Sequence, residues 1–181
     1  MELTPTLWRT CRVLSGATRL ELLRRIIEMP DQCVAELTEA LGLSETRASQ
    51  ELRRLQSRGL VQVAREGRWV RYRPVTDPKV PSAKPLLAAA KEALAKRPAE
   101  ETARVAKAFG HERRLKMVRL LQDGARRGEE LRFLAGLSKP ALYRHLHVLK
   151  EGDLVQRTGG GWALAPNPHP LAKALKSLLA G

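Results

Sequence analysis

The second half of this 181-residue chain repeats the first in order, and that repeat restricts its fold more than any other feature. Gly42-Leu43-Ser44 recurs as Gly136-Leu137-Ser138, 94 residues on (136 − 42). Leu52 and Leu55 recur at the same separation as Leu146 and Leu149, and Leu60-Val61-Gln62 recurs as Leu154-Val155-Gln156. Upstream, Thr18-Arg19-Leu20 lies over Arg113-Arg114-Leu115 at a separation of 95; downstream, Gly67-Arg68-Trp69 lies over Gly160-Gly161-Trp162 at 93. Ordered matches that drift by one residue at the loops imply one supersecondary unit built twice.

In the first copy, Leu20, Leu23, Ile26 and Ile27 keep helical spacing and mark a core helix that ends before Met29-Pro30. Val34, Leu37 and Leu41 supply the buried face of a short helix, with Gly42 as its stop. Ser44 is placed to cap a third helix that runs to about Arg58, with Ala48, Leu52 and Leu55 facing inward. Val61, Val63, Val70 and Tyr72 nearly alternate around Arg65-Glu66-Gly67-Arg68, the pattern of a β-hairpin with a basic tip. The second copy repeats the order: Leu115, Val118 and Leu121 in the core helix, Leu131, Leu134 and Leu137 in the short one, Leu142, Leu146 and Leu149 in the third. Residues 155–164 form its hairpin, with Gly159-Gly160-Gly161 as the tip, and Trp69 and Trp162 are expected in the two hairpin cores. Four further helices flank these units, at residues 7–14, 86–95, 99–109 and 171–179, the second and last opened by Pro85-Leu86 and Pro170-Leu171; residues 74–85 are read as a loop.

The expected fold class is therefore mainly α with small β-hairpins, as two tandem winged helix-turn-helix domains, 1–97 and 98–181. In that arrangement the third helix enters the DNA major groove. With Ala48, Leu52 and Leu55 inside, Arg47, Gln50, Arg54 and Arg58 are expected outside, where Arg and Gln can make paired hydrogen bonds to base edges. The corresponding second face carries Lys139, Tyr143, Arg144 and His147. Ser44 and Ser138, at the helix starts, are placed to hold a phosphate. On the first hairpin Arg65, Arg68, Arg71 and Arg73 are placed to follow phosphates or a minor groove, whereas the second has only Arg157 beside its glycines.

Charge agrees with this assignment. Lys and Arg total 33 against 19 Asp and Glu, a formal net charge of +14 that suits a polyanionic partner. The excess is shared: 18 basic against 11 acidic residues in 1–97, and 15 against 8 in 98–181. Aromatic residues make up only 4% of the chain, few for stacking on RNA bases. The second function class that the fold allows is a tandem winged-helix protein-interaction or chromosome-organisation module with nonspecific DNA binding, against which the high positive charge argues.

The segments VAELTEALGL at 34–43, SETRASQELRRL at 44–55 and Gly59-Leu60-Val61 resemble the ArsR family of winged-helix regulators. Gly110-His111-Glu112-Arg113-Arg114-Leu115 and SKPALYRHLHVLKEGDLV at 138–155 resemble it again. The resemblance implies a sequence-specific double-stranded DNA-binding regulator of repressor type. Family members usually carry one unit per chain and pair as homodimers, so it implies here an intramolecular pseudo-dimer or a homodimer, with the flanking helices as the interface. Many relatives sense metals through Cys-x-Cys on the short helix. Here Cys33 takes the first of those positions but Ala35 the second.

Cys11 and Cys33 are the weak candidates for a metal site, two ligands where thiolate sites for zinc or arsenite want at least three. His111, His145, His147 and His169 form no ligand-like set, and neither a Gly-rich phosphate loop nor a supported nucleophile constellation is found, so no cofactor and no enzymatic activity are expected. Residues 1–16 lack the pattern of a signal peptide, and no apolar run approaches the roughly 20 residues that span a bilayer. The expectation is a cytoplasmic protein with free thiols and no membrane partner.

Overall fold

Ten helices and two hairpins make up residues 6–180, which the computed structural model describes; the chain start read for a leader falls partly outside the described residues. In chain order they are α1 (Leu7–Leu14), α2 (Ala17–Glu28), α3 (Val34–Leu41), α4 (Glu45–Gln56), β1 (Gln62–Glu66), β2 (Trp69–Arg73) and α5 (Ala83–Leu94). The second series is α6 (Ala99–Phe109), α7 (Glu112–Gln122), α8 (Gly128–Ala135), α9 (Lys139–Glu151), β3 (Val155–Thr158), β4 (Gly161–Leu164) and α10 (Pro170–Ala180). This is the mainly α, twice-repeated winged-helix architecture that the repeat requires.

The turn before each third helix is built the same way in both copies. Gly42 and Gly136 take φ of 62° and 63°, a left-handed conformation that turns the chain and costs an L side chain energy. Leu43 N–H then donates to the Thr38 carbonyl at 3.1 Å, and Leu137 N–H to that of Arg132 at 3.0 Å, satisfying helix-end acceptors. Leu137 therefore lies in this turn and not in α8, which ends at Ala135. Next, Ser44 and Ser138 accept from the N–H of Arg47 and Ala141, 3.4 Å in each case, and start α4 and α9. A second shared device holds the preceding helix: Arg19 donates to the Val13 carbonyl at 2.5 Å, and Arg114 to the Ala108 and Lys107 carbonyls, each at 2.7 Å. A guanidinium fixes a helix C-terminus in both units.

The hairpins differ in length, which corrects the alignment of Trp69 with Trp162. Val63 pairs with Tyr72, and Arg157, 94 residues after Val63, pairs with Trp162. Tyr72 and Trp162 also make the equivalent bridges, to Gln32 and Arg126, in the connections before α3 and α8. Tyr72 is thus the structural counterpart of Trp162. The first hairpin is four residues longer between those pairs (72 − 63 against 162 − 157). Trp69 consequently sits at the far end of the extension, 44% exposed, with the Arg68 guanidinium 4.9 Å from its ring centre. Gly161 opens β4 and is not in the tip: a Cβ there would stand 2.2 Å from the Arg126 carbonyl oxygen.

Packing between the halves runs through the flanking helices. α1 lies on α6 and α5 on α10, while α6 also meets α2, α5, α7, α9 and α10. Small residues make that close approach possible: Ala99, Ala103, Ala106 and Ala108 are buried on α6 beside Phe109, and Ala83, Ala89, Ala90 and Ala93 on α5. A single hydrophobic core extends from Cys11 and Leu14 to Leu171 and Leu175. α5 begins at Ala83, three residues before the expected start, so Pro85 lies inside its first turn, where the missing N–H has no helical partner to lose.

Three histidines are partly desolvated in this packing. His111 caps α7 by accepting the Arg113 N–H at 3.0 Å, and its ring lies 4.7 Å from that of His145 on α9. His169 is buried, with Nε2 3.2 Å from the Thr102 hydroxyl. Burial holds all three below the ordinary imidazole range, helped by Arg114 at His111, by His111 at His145 and by Arg97 at His169.

Two expectations follow. Gly42→Ala places a Cβ that meets nothing within 4 Å, so its cost is conformational only. It should lower the urea-unfolding free energy by about 1 kcal/mol. Second, a histidine whose folded pKa is depressed binds fewer protons folded than unfolded, so stability should fall as pH drops through the unfolded value of about 6.5. Melting temperatures between about pH 7.5 and pH 5.5 should show this loss, and His145→Gln should flatten it. An unchanged slope would remove His145 from the account.

Candidate nucleic-acid interface

A helix turns about 100° per residue, so the direction opposite Ala48, Leu52 and Leu55 on α4 is held by Thr46, Gln50 and Arg53, with Arg47 and Arg54 to one side. Arg47, Gln50, Arg53 and Arg54 are all exposed. Arg47 donates to the Thr18 hydroxyl at 3.1 Å, while Arg54 pairs with Glu51 at 2.9 Å. The alternation of inner leucines alone did not single out Arg53; the same 100° increments do, since Arg53 stands two residues, or about 200°, from Leu55. It also reaches toward the hairpin: burial pushes the Tyr72 phenol up, and the Arg53 charge opposes that.

Arg58 is placed differently from its three companions. α4 ends at Gln56, and Arg58, three residues beyond the buried Leu55, turns back toward α1. It lines a cavity there with Trp8, Arg9 and Arg12. The first hairpin likewise divides its arginines. Arg71 donates to the Asp31 carbonyl at 2.7 Å and to Glu66 at 2.9 Å, with Glu36 at 3.6 Å, and Arg73 is ion-paired to Asp31 and Glu66. Those two tie β2 to the start of α3. Arg65 and Arg68 remain exposed at the tip, and neither has an ion pair among the described residues.

On α9, Leu142, Leu146 and Leu149 are buried, and Arg144 and His147 point the opposite way. Lys139 and Tyr143 stand at the flank, with Tyr143 54% exposed. Arg144 has no acidic partner among the described residues, while His147 lies 3.4 Å from Glu151. The second hairpin ends in Gly159 and Gly160, and the Arg157 guanidinium rests 5.2 Å from the Trp162 ring centre. So α4 and α9 present different chemistry from equivalent positions.

Of the two thiols, Cys11 lies away from these faces, whereas Cys33 lines a small pocket with Glu45 at the start of α4 and with Arg68, Trp69 and Val70 of the first wing. Cys11 is fully buried on α1, where desolvation pushes its pKa far up and keeps it protonated. Cys33 is buried at the start of α3, its backbone N–H donated to Glu36 at 2.6 Å. That bond, the leading cause, holds the Glu36 carboxyl below its ordinary range. Among the described residues no group of three or more His, Cys, Asp or Glu could hold a metal, and no helix is long and apolar enough to cross a membrane.

Comparison with known proteins agrees with this architecture. An arsenic resistance transcriptional regulator of Pseudomonas putida is 38% identical over 79 residues, covering 44% of this chain and 59% of the relative. The arsenical resistance operon repressor of Escherichia coli is 32% identical over 71 residues, 39% of this chain and 59% of its own length. A Halobacterium salinarum protein named for the same operon is 44% identical over 68 residues, 37% of this chain and 57% of the relative. The chain thus spans less than two thirds of the length of these relatives. No solved structure matches. The family model for the bacterial regulatory proteins of the arsR family matches twice, at residues 16–63 and again at 111–157. The two segments take in α2 to the start of β1 and α7 to the third residue of β3, more than half of the sequence, and the chain belongs to the ArsR family of bacterial regulatory proteins.

Proposed function

We propose that this protein is a transcriptional repressor that binds double-stranded DNA sequence-specifically through two unequal winged-helix units, approximately residues 1–97 and 98–181. The observation that carries the reading is the doubled outer face: α4 and α9 each leave a Gly-Leu-Ser turn with a buried leucine stripe on one side and exposed basic and hydrogen-bonding side chains on the other. On α4 the groove-facing set is Arg47, Gln50, Arg53 and Arg54; on α9 it is Lys139, Tyr143, Arg144 and His147. Ser44 and Ser138 still have a hydroxyl proton to donate to a phosphate while they accept from the helix N–H groups. Arg65 and Arg68 extend along the DNA from the longer first wing, whereas Arg71 serves the fold. Because the two faces differ, the preferred site is asymmetric.

The two units act as an intramolecular pair. The packing of α1 on α6 and of α5 on α10 supports this, because it uses the flanking helices within one chain. The arsenical response in the relatives' names is not carried over: one thiol is sealed in the core and the other has no neighbouring ligand set. The chemistry is recognition rather than catalysis, in keeping with a regulatory family.

Binding to a random duplex across a salt series should show affinity falling steeply with salt, as counterions are displaced from several phosphates. Absence of binding at low salt would end the DNA reading. On a selected site, Arg53→Ala and Arg144→Ala should each reduce specific affinity by about tenfold and random-duplex affinity much less. Arg65→Ala with Arg68→Ala should lower both alike, and Arg71→Ala should cost stability more than affinity. Equal losses for specific and random DNA at Arg53 and Arg144 would make them phosphate contacts and favour a nonspecific chromosome-organisation module. Sedimentation equilibrium should return a mass near the 20.2 kDa of one chain; twice that would refute the intramolecular pair.

A further inference from the structure

The two outer faces carry different chemistry at one position where their geometry is the same. Gln50 lies six residues beyond the cap Ser44, and Arg144 six beyond the cap Ser138 (50 − 44 and 144 − 138). Each therefore stands about 9 Å along its helix from the capped end. Gln50 is two residues from both Ala48 and Leu52, and Arg144 two from both Leu142 and Leu146, all four of them buried. Two residues are about 200° of helix, so both side chains leave on the side away from the core. Both are exposed, and neither has a hydrogen-bond or ion-pair partner among the described residues. Their neighbours are more constrained: Arg47 donates to the Thr18 hydroxyl, Arg54 to Glu51, and His147 lies 3.4 Å from Glu151. Depth and direction agree between the units, and the functional group does not.

The two groups complement different bases. A glutamine carboxamide sets one acceptor beside one donor, which matches the N6 donor and N7 acceptor of adenine in the major groove. A guanidinium sets two donors side by side, which match the O6 and N7 acceptors of guanine. Exchange is unfavourable both ways. Guanine O6 would face the carboxamide oxygen, acceptor against acceptor, and the adenine amino group would face a guanidinium N–H, donor against donor. Arg53 and its counterpart His147 impose no such distinction, because both can donate to a purine acceptor.

The orientation of the halves follows from the packing. Helices that correspond in the two copies lie on each other, α1 on α6 and α5 on α10. Contact between like elements is what a two-fold relation produces, and it turns the two half-sites in opposite directions along the duplex.

We propose that Gln50 reads an adenine in one half of the DNA site and Arg144 a guanine at the mate position of the other half. The site is then an inverted repeat broken at that position, A·T on one side and G·C on the other. The inference rests on the sequence-specific DNA reading above and names the side-chain pair that tells the halves apart.

Selection of bound duplexes from a random-sequence pool with the full chain gives the site, and competition between duplexes that differ at one base pair gives the preference. The expected site carries A·T in one half where its mate has G·C, and exchange of either pair for the other weakens binding by about tenfold. Gln50→Arg should reverse the preference at the first pair and leave the second unchanged; Arg144→Gln should do the opposite. Either variant alone then prefers a repeat that is unbroken at this position. Should Gln50→Arg lose its helical circular dichroism, Gln50→Ala must level the preference at the first pair alone. A pool that yields no preferred sequence overturns the DNA reading and this proposal with it. A preferred sequence with a single half, with halves that run in the same direction, or with the same base pair at both mates overturns this proposal alone. Preferences that the substitutions leave unmoved do so as well.

Discussion

The close contact of α6 with its neighbours from both halves is the constraint on which the rest of the molecule depends. Each winged-helix unit is small, and a small unit buries too little apolar surface to be robust by itself. α6 answers this by meeting α1 and α2 of the first unit as well as α7, α9 and α10 of its own. Four buried alanines let the helices approach, and Phe109 fills the space that remains. The buried Thr102 belongs to the same helix and reaches His169 before α10, so the polar side chain that α6 draws inside finds a partner. Withdrawing α6 would expose apolar faces in both halves at once.

Upon this shared frame the two units have diverged where packing does not restrict them. The turn glycines, the serine caps and the arginines that clamp α1 and α6 recur in both copies because each satisfies backbone groups that the geometry leaves open. The wings and the outer helix faces satisfy no such need. The first wing is four residues longer, projects Trp69 and Arg68 and is braced by Arg71 and Arg73. The second is short and ends in glycine. Between α1 and α4 one copy sets Trp8 and five arginines about a cavity, while the other keeps Arg104, Lys107 and Arg114 but closes on Gly152.

Much of this was legible in the chain. Gly42 and Gly136 fixed the turns because glycine alone takes that backbone without strain, and the leucine stripes fixed the inner faces because helical periodicity leaves little choice. The outer face of α4 was less legible. Naming the residues that alternate with the leucines includes Arg58, which belongs to the helix end and turns inward, and passes over Arg53, which angular position brings out. Trp69 was misplaced because a Gly-Arg-Trp match against Gly-Gly-Trp looks like register, whereas strand pairing follows the bridges made by Tyr72 and Trp162.

The sequence by itself determined the repeat, the order of elements, the caps and turns, and the positive charge of both halves, since these rest on local backbone chemistry and composition. Tertiary structure alone decided which arginines are spent on the fold and which face outward. It decided too that the flanking helices of the two copies cover each other and that one cavity is lined by cations from three helices. A side chain's charge is written in its residue, but whether that charge meets a carboxylate, a carbonyl, an aromatic ring or open solvent depends on residues far away in the chain, as Arg71 with Asp31 illustrates.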